Sequence, residues 1–371
     1  LCTALFHHDD AQPDRDHVAA DSILEEINRA NLFLLPLDEE GRWFRYHHLF
    51  RDLLLRLLQR ERPPEEISGY HQRAARWFEQ HGLIDEALTH AFAAGETAQA
   101  AQIVAGQRHA LMNGAAWQRL DRYLHRFAPQ VIDQQPELLM LQTWLLYHHG
   151  HTDQLPAALR QVKAALAQAD IPSATARHLR GEISALDSLL AYNRTDPART
   201  MAAAELALAN TPAELWIVRI LARLMLGGAY QMQGDASRGE ETILRGVQEE
   251  IVDSHPFTAT TLLSACFLYW VTGELEPLRQ TAQRCIDYCD YPNSAEIAGY
   301  ARYHLGRAHY QWNDLAAAEE QFGAVVRQPY VNYGDAYVNA AFGLALTYQA
   351  QNRPAQARDV VAAAIALSLI H

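Results

Sequence analysis

Leu226-Gly227-Gly228-Ala229-Tyr230-Gln231-Met232-Gln233-Gly234, followed by Gly239, Ile243 and Gly246, decides how this chain folds. A small residue is followed by a ring side chain and then by a residue that can end a helix. The same order returns in Leu305-Gly306-Arg307-Ala308-His309-Tyr310-Gln311-Trp312-Asn313, with Ala318, Phe322 and Val325 behind it. A third copy runs from Leu344-Ala345 through Tyr348 to Asn352, then Ala357, Val361 and Ala364. Weaker copies carry Cys266, Tyr269, Gly273, Leu278 and Ala282; Ser188, Ala191, Thr195 and Ala204; and Thr143, Leu146, Gly150 and Leu159. The helix-ending residues Gly150, Thr195, Gly234, Gly273, Asn313 and Asn352 are spaced 45, 39, 39, 40 and 39 residues apart. Such regularity predicts a solenoid, in which each helix hairpin buries against the next a face it cannot bury alone. Small side chains let the paired helices approach, and Gly or Asn tolerates the left-handed turn that closes the first helix.

The pattern resembles the tetratricopeptide repeat, although its period exceeds the usual one of about 34 residues. The resemblance implies an all-α, right-handed superhelix with an inner groove lined by the first helix of each pair. Counted on that pattern, the groove stripe of one repeat is Tyr300, Tyr303, Arg307 and Tyr310. The preceding repeat presents Thr260, Leu263, Phe267 and Trp270, and the following one Asn339, Phe342, Leu346 and Gln349. These spacings share one helix face. Trp270, Tyr300, Tyr303, Arg307, Tyr310 and Asn339 are therefore the predicted ligand-binding residues. Aromatic faces beside hydrogen-bonding groups suit sugar-like or other ring-bearing ligands. The alternative is that these rings pack between repeats.

Before the repeats the character differs. The apolar run Leu32–Leu37, the acidic loop Asp38–Gly41 and the aromatic Arg42–Tyr46 form a predicted β-hairpin. Leu49, Phe50, Leu53, Leu54, Leu57 and Leu58 then take helical spacing. A short helix over Asp21–Ile27 precedes them, behind a loop at Ala11–Asp16 and a segment Leu1–Asp10 that completes an earlier helix. Together these make a small winged-helix unit. Pro63-Pro64 ends its long helix, because proline lacks the amide and disfavours helix in the residue before it. Residues 1–62 and 63–371 are the two expected domains.

The run from Asn31 to Leu54 closely resembles the end of the winged-helix domain in MalT-like transcription regulators, the large ATP-dependent members of the LuxR group. The run Trp77-Phe78 through His90-Ala91 to Gly95 is similar to the start of their helical-repeat region. The resemblance implies a sensor region that relays an inducer to an ATPase domain ahead of it and a DNA-binding domain behind it. It also implies that His47 or His48 senses nucleotide state by touching the phosphates of ADP, and that the partners are a small-molecule inducer or a regulatory protein, with self-association possible. The other reading of the two histidines is that one packs under the hairpin and the other caps it. DNA would be bound only through the domain behind, in the cytoplasm.

The chain starts at Leu1 and stops inside an apolar pattern at His371, as an excised piece would. Its formal charge of −13 argues against binding a nucleic-acid backbone. Arg42, Arg45, Arg51, Arg56, Arg60 and Arg62 are expected to form a solvated or interdomain face. The one lysine, Lys163, lies outside any Gly-Lys-Ser/Thr sequence, so no phosphate-cradling loop is present. No cofactor is expected here, ATP and ADP belonging to the absent ATPase domain. Four scattered cysteines indicate no disulfide framework, and no apolar run is long enough to span a membrane. Cys285 and Cys289 sit one helical turn apart without a second pair to complete a metal site. His148, His149 and His151 cluster at a break between helices and are expected to be exposed turn residues. Catalytic motifs are lacking, so the chain is expected to be no enzyme. Two functions stay open: an inducer sensor, marked by a localised aromatic and polar pocket, and a peptide- or protein-docking scaffold, marked by a long continuous track.

Overall fold

The computed structural model describes residues 26–27, 34–36, 43–249, 255–292, 294–329 and 335–368. The expected elements at Leu1–Asp10 and Ala11–Asp16, and most of those at Asp21–Ile27 and Leu32–Leu37, lie outside the described residues. The chain divides into two compact units, one ending at Gly106 and one starting at Gln107.

Among the described residues the first unit holds the hairpin and the helices α1 to α4. Strands β1 (Leu34–Pro36) and β2 (Phe44–Tyr46) pair antiparallel, with Leu35 opposite Arg45. Helix α1 (His48–Glu61) stops before Pro63, and α2 (Pro64–Gln80) starts with proline in its first turn. Proline loses nothing there, since its missing amide would have no partner. Glu65 and Glu66 follow it, where the helix dipole favours negative charge. Helix α3 (Ile84–Ala93) packs back on α2 through Ala74, Ala75, Phe78, Leu88 and Ala91, all buried. Helix α4 (Thr97–Asn113) follows, and its last residues belong to the second unit.

The second unit is a run of helices: α5 (Trp117–Leu124), α6 (Pro129–Gln134), α7 (Pro136–His148) and α8 (Leu155–Gln168). Then come α9 (Ser173–Tyr192), α10 (Pro197–Asn210), α11 (Trp216–Met232) and α12 (Ala236–Glu249). Last are α13 (His255–Thr272), α14 (Leu275–Asp287), α15 (Ala295–Gln311), α16 (Leu315–Val326), α17 (Asp335–Ala350) and α18 (Pro354–Ser368). Sequence neighbours pair as hairpins, and α9, α11, α13, α15 and α17 also touch each other in series. The first helices of the pairs thus share one side. Among the described residues no strand occurs beyond Tyr46.

The six helix-ending residues predicted from the repeat all adopt left-handed backbone. Gly150, Gly234 and Gly273 have φ of 77°, 86° and 78°, and Thr195, Asn313 and Asn352 have 59°, 61° and 59°. Each closes its helix the same way. At Asn313 the amide donates to the Tyr310 carbonyl at 3.0 Å, and the Asp314 amide donates to the His309 carbonyl at 2.9 Å. These bonds satisfy carbonyls that the end of a helix would otherwise leave open. Thr195 is the strained member, because a β-branched residue is disfavoured in this region. Thr195→Asn, which copies the residue at positions 313 and 352, is expected to raise stability by about 0.5–1 kcal/mol. A urea titration checks this; an unchanged or lower midpoint refutes it.

The small residues of the pattern also have a visible cause. A Cβ on Gly227 would lie 2.9 Å from the Gly239 carbonyl oxygen, and one on Gly239 would lie 2.7 Å from the Gly227 oxygen. Helices α11 and α12 therefore touch backbone to backbone.

Candidate functional site

The repeat geometry creates a cavity in the second unit. It has a volume of about 490 Å³ and is lined by α11, α13, α15 and α17, together with α7, Trp117 and the end of α4. Every lining helix from α11 onward is the first of its pair. Aromatic walls come from Trp117, Trp144, Tyr147, Trp216, Phe267, Tyr300 and Tyr303. Polar groups come from Asn113, His148, Thr260, Ser264, Glu296, His304, Arg307 and Asn339.

Tyr300, Tyr303, Arg307 and Asn339 of the predicted set line this cavity, and so do Thr260, Leu263 and Phe267. Trp270 and Tyr310 do not. Trp270 packs on the Leu268–Tyr269 core, with the Arg307 guanidinium 3.2 Å above its ring centre. Tyr310 packs against the cluster around Phe322 and Leu344. Tyr303 does both, meeting the cavity and the Phe322 ring at 6.2 Å. Phe342 is 63% exposed and is not part of the lining.

The histidine cluster departs from expectation. His148 is no exposed turn residue: it lies half-buried in the cavity wall, stacked on Trp117 at 4.8 Å, with Nε2 3.7 Å from a Glu296 oxygen. His149 is also half-buried, and only His151 is exposed. The cause is that α7 runs on to His148, so the side chain leaves from its inner face and not from the turn. Burial, and then His149, depress the His148 pKa to about 4, while burial raises Glu296 to about 7. Burial, and then Arg307, hold His304 down at about 3. Both histidines are neutral at neutral pH.

One wall is braced from behind. Glu182, fully buried on α9, receives two bonds from Arg108, at 3.1 and 2.8 Å. It also accepts the Trp144 indole N–H at 2.8 Å and faces the His109 Nε2 at 3.4 Å. Burial alone would raise its pKa; Arg108 foremost, then His109, overcome this and hold it near 2. The bonded carboxylate thus fixes the face that Trp144 turns to the cavity.

The model of the MalT-like TPR region matches residues 181–368, just over half of the chain, and the model of the MalT winged helix domain matches residues 1–66. The chain belongs to the MalT-like family. This MalT-like chain is 29% identical over 241 residues to the HTH-type transcriptional regulator MalT of Vibrio cholerae. The match covers 64% of the chain and 26% of that regulator, so the chain spans about a quarter of the relative's length. Among solved structures, it resembles a signal transduction ATPase with numerous domains and a tetratricopeptide repeat sensor from Pyrococcus horikoshii, with a TM-score of 0.57. That likeness covers 99% of the chain and 53% of the other at 12% identity, and it speaks to the fold.

In the winged-helix part of the MalT-like chain, His47 and His48 are exposed, their rings 4.3 Å apart at the start of α1. His47 makes no side-chain cap bond. Arg51, Arg60 and Arg62 each face a neighbouring carboxylate on an exposed surface. Cys285 is buried and donates to the Ala259 carbonyl, and Cys289 donates to the Cys285 carbonyl. No three potential metal-ligating side chains converge among the described residues. No helix among them is long and apolar enough to cross a membrane.

Trp144 and Tyr147 were within reach of the sequence. Counting the groove positions from Thr143, as from Gly306, arrives at both. Glu296 and Ile217 lie one helical turn ahead of such stripes, where the repeat pattern carries no signal.

Proposed function

We propose that this MalT-like chain is the sensor region of a transcription regulator, and that the cavity between its repeats holds a small-molecule inducer. The observation that carries this is a chamber that sets aromatic walls beside polar groups. Its volume of about 490 Å³ falls in the range of ligand pockets, roughly 300–1,000 Å³. A docking scaffold calls for a continuous track, and the lining is confined instead. Four consecutive repeats and the earlier helix α7 supply it, so a ligand would bind them together and favour one spacing of the array. That differential affinity is what relay to an ATPase and a DNA-binding domain requires.

A thermal-shift screen of the chain against a metabolite panel tests this. A ligand at a hundred times its Kd adds about 2.7 kcal/mol, which for a unit of this size raises the midpoint by roughly 5–10 °C. Leu263→Trp, which fills the chamber, is expected to fold and to abolish the shift. No stabilising compound, or one that still stabilises the filled variant, refutes the site. Arg307→Met, which keeps the packing on Trp270, is expected to weaken binding with little loss of stability, whereas Tyr303→Ala costs both, because its ring also packs on Phe322.

On the same reading, His47 or His48 touches the nucleotide phosphates in the parent regulator, where a hydrogen bond to a charged group contributes about 1.5–3 kcal/mol. Replacing each by Ala in that longer protein is expected to loosen ADP-dependent repression. Unchanged ADP affinity and activation in both variants would exclude the role.

A further inference from the structure

One helix carries both charged side chains of the cavity lining, Glu296 and Arg307. Glu296, Tyr300, Tyr303 with His304, and Arg307 follow one another along α15 on the side that lines the chamber. A carboxylate stands at one end of this stripe and a guanidinium at the other. The two are eleven residues apart, or about 16 Å between backbones at roughly 1.5 Å per residue.

Neither charge has a charged counterpart among the described residues. The one ion-pair partner of Glu296 is His148, which burial keeps neutral. Arg307 lies over the rings of Trp270 and Tyr303 and has no carboxylate partner among the described residues. A neutral ring-bearing ligand would satisfy the aromatic walls and offer Glu296 and Arg307 no opposite charge.

We propose that the chamber binds a short peptide with free termini, its ammonium at Glu296 and its carboxylate at Arg307, with apolar side chains against the tyrosines. Three or four extended residues span about 10–13 Å at roughly 3.3 Å each, and the two side chains bridge the rest of the stripe. The aromatic rings near the carboxylate add attraction for an ammonium group, and the planar guanidinium matches a terminal carboxylate in two parallel bonds. This rests on the cavity reading above and narrows it to one ligand class.

The probe is a pool of random tri- and tetrapeptides with free termini, equilibrated with the folded chain and read by mass spectrometry of the retained fraction. The same pool N-acetylated, C-amidated or both is run beside it, with a panel of neutral sugars and nucleosides. Free peptides are expected to be retained, singly capped ones about ten- to hundredfold less, and doubly capped ones not at all. Glu296→Gln is expected to erase the preference for a free amine, and Arg307→Met, which keeps the packing on Trp270, the preference for a free carboxylate. Equal retention of capped and free peptides, or unchanged preferences in both variants, overturns the proposal. Retention of neutral compounds alone, lost in Leu263→Trp, overturns it and leaves the cavity reading standing. Retention of nothing overturns both.

Discussion

Glu182→Ala is expected to destabilise the repeat unit by about 3–5 kcal/mol, because it leaves the Arg108 guanidinium buried and uncompensated. Arg108 and Glu182 are 2% and 0% exposed, so water cannot replace the lost partner. Trp144 loses its indole acceptor at the same time. Replacing both members together, as Arg108→Met with Glu182→Leu, is expected to recover most of the loss, since no charge is then stranded. Urea unfolding of the three variants measures this, and a Glu182→Ala cost below about 1 kcal/mol would contradict it. The pair also gives an acid signature. The folded pKa of Glu182 is depressed to about 2, against an unfolded value near 4.3. Its contribution is therefore fully present above the unfolded value and is lost as pH falls towards 2, roughly 3 kcal/mol in all. The groups facing it are Arg108 and His109, whose pKa burial lowers. The doubly substituted variant should lack this acid limb.

Phe322→Ala is expected to cost about 3–5 kcal/mol. The Phe322 ring is 1% exposed and sits between two glycines of neighbouring first helices. A Cβ on Gly306 would lie 2.7 Å from it and one on Gly343 2.6 Å. Both helices thus approach the ring to a distance that only glycine permits, and its removal opens a cavity that α15 and α17 cannot readily collapse. Gly306→Ala alone is expected to be destabilising by overpacking. In the Phe322→Ala background it should be less harmful, because the added methyl enters vacated space. Additive losses in a double-mutant cycle would show that ring and glycine do not meet.

The fold was legible because each repeat must solve the same local problem. Ending the first helix needs a residue that accepts positive φ, and Gly150, Gly234, Gly273, Asn313 and Asn352 announce it by type. Thr195 does not, and only the spacing of the others gives its place away. Gly227 and Gly306 likewise mark a close approach by their type and their position in the repeat. The site was only partly legible. Tyr300, Tyr303, Arg307 and Asn339 lie on the predicted stripe and meet at the chamber, whereas Trp270 and Tyr310 lie on the same stripe and pack away from it. Helical spacing gives a direction to within a face and not the depth of a pocket. Glu182, Arg108 and His148 were missed for another reason. Their roles depend on contacts between residues far apart in the chain, 74 positions in the case of Arg108 and Glu182. No local pattern marks such a pair.

A ligand of this MalT-like chain is expected to bind inside the chamber of the repeats. Hydrogen–deuterium exchange of the whole chain, with and without the compound giving the largest thermal shift, tests this most directly. Protection is expected in α7, α11, α13 and α15 together, centred on residues 144–148, 216–224, 260–267 and 296–307, with α1 and α2 unchanged. Protection confined to α1 and α2, or to second helices such as α14 and α16, would contradict binding in the chamber.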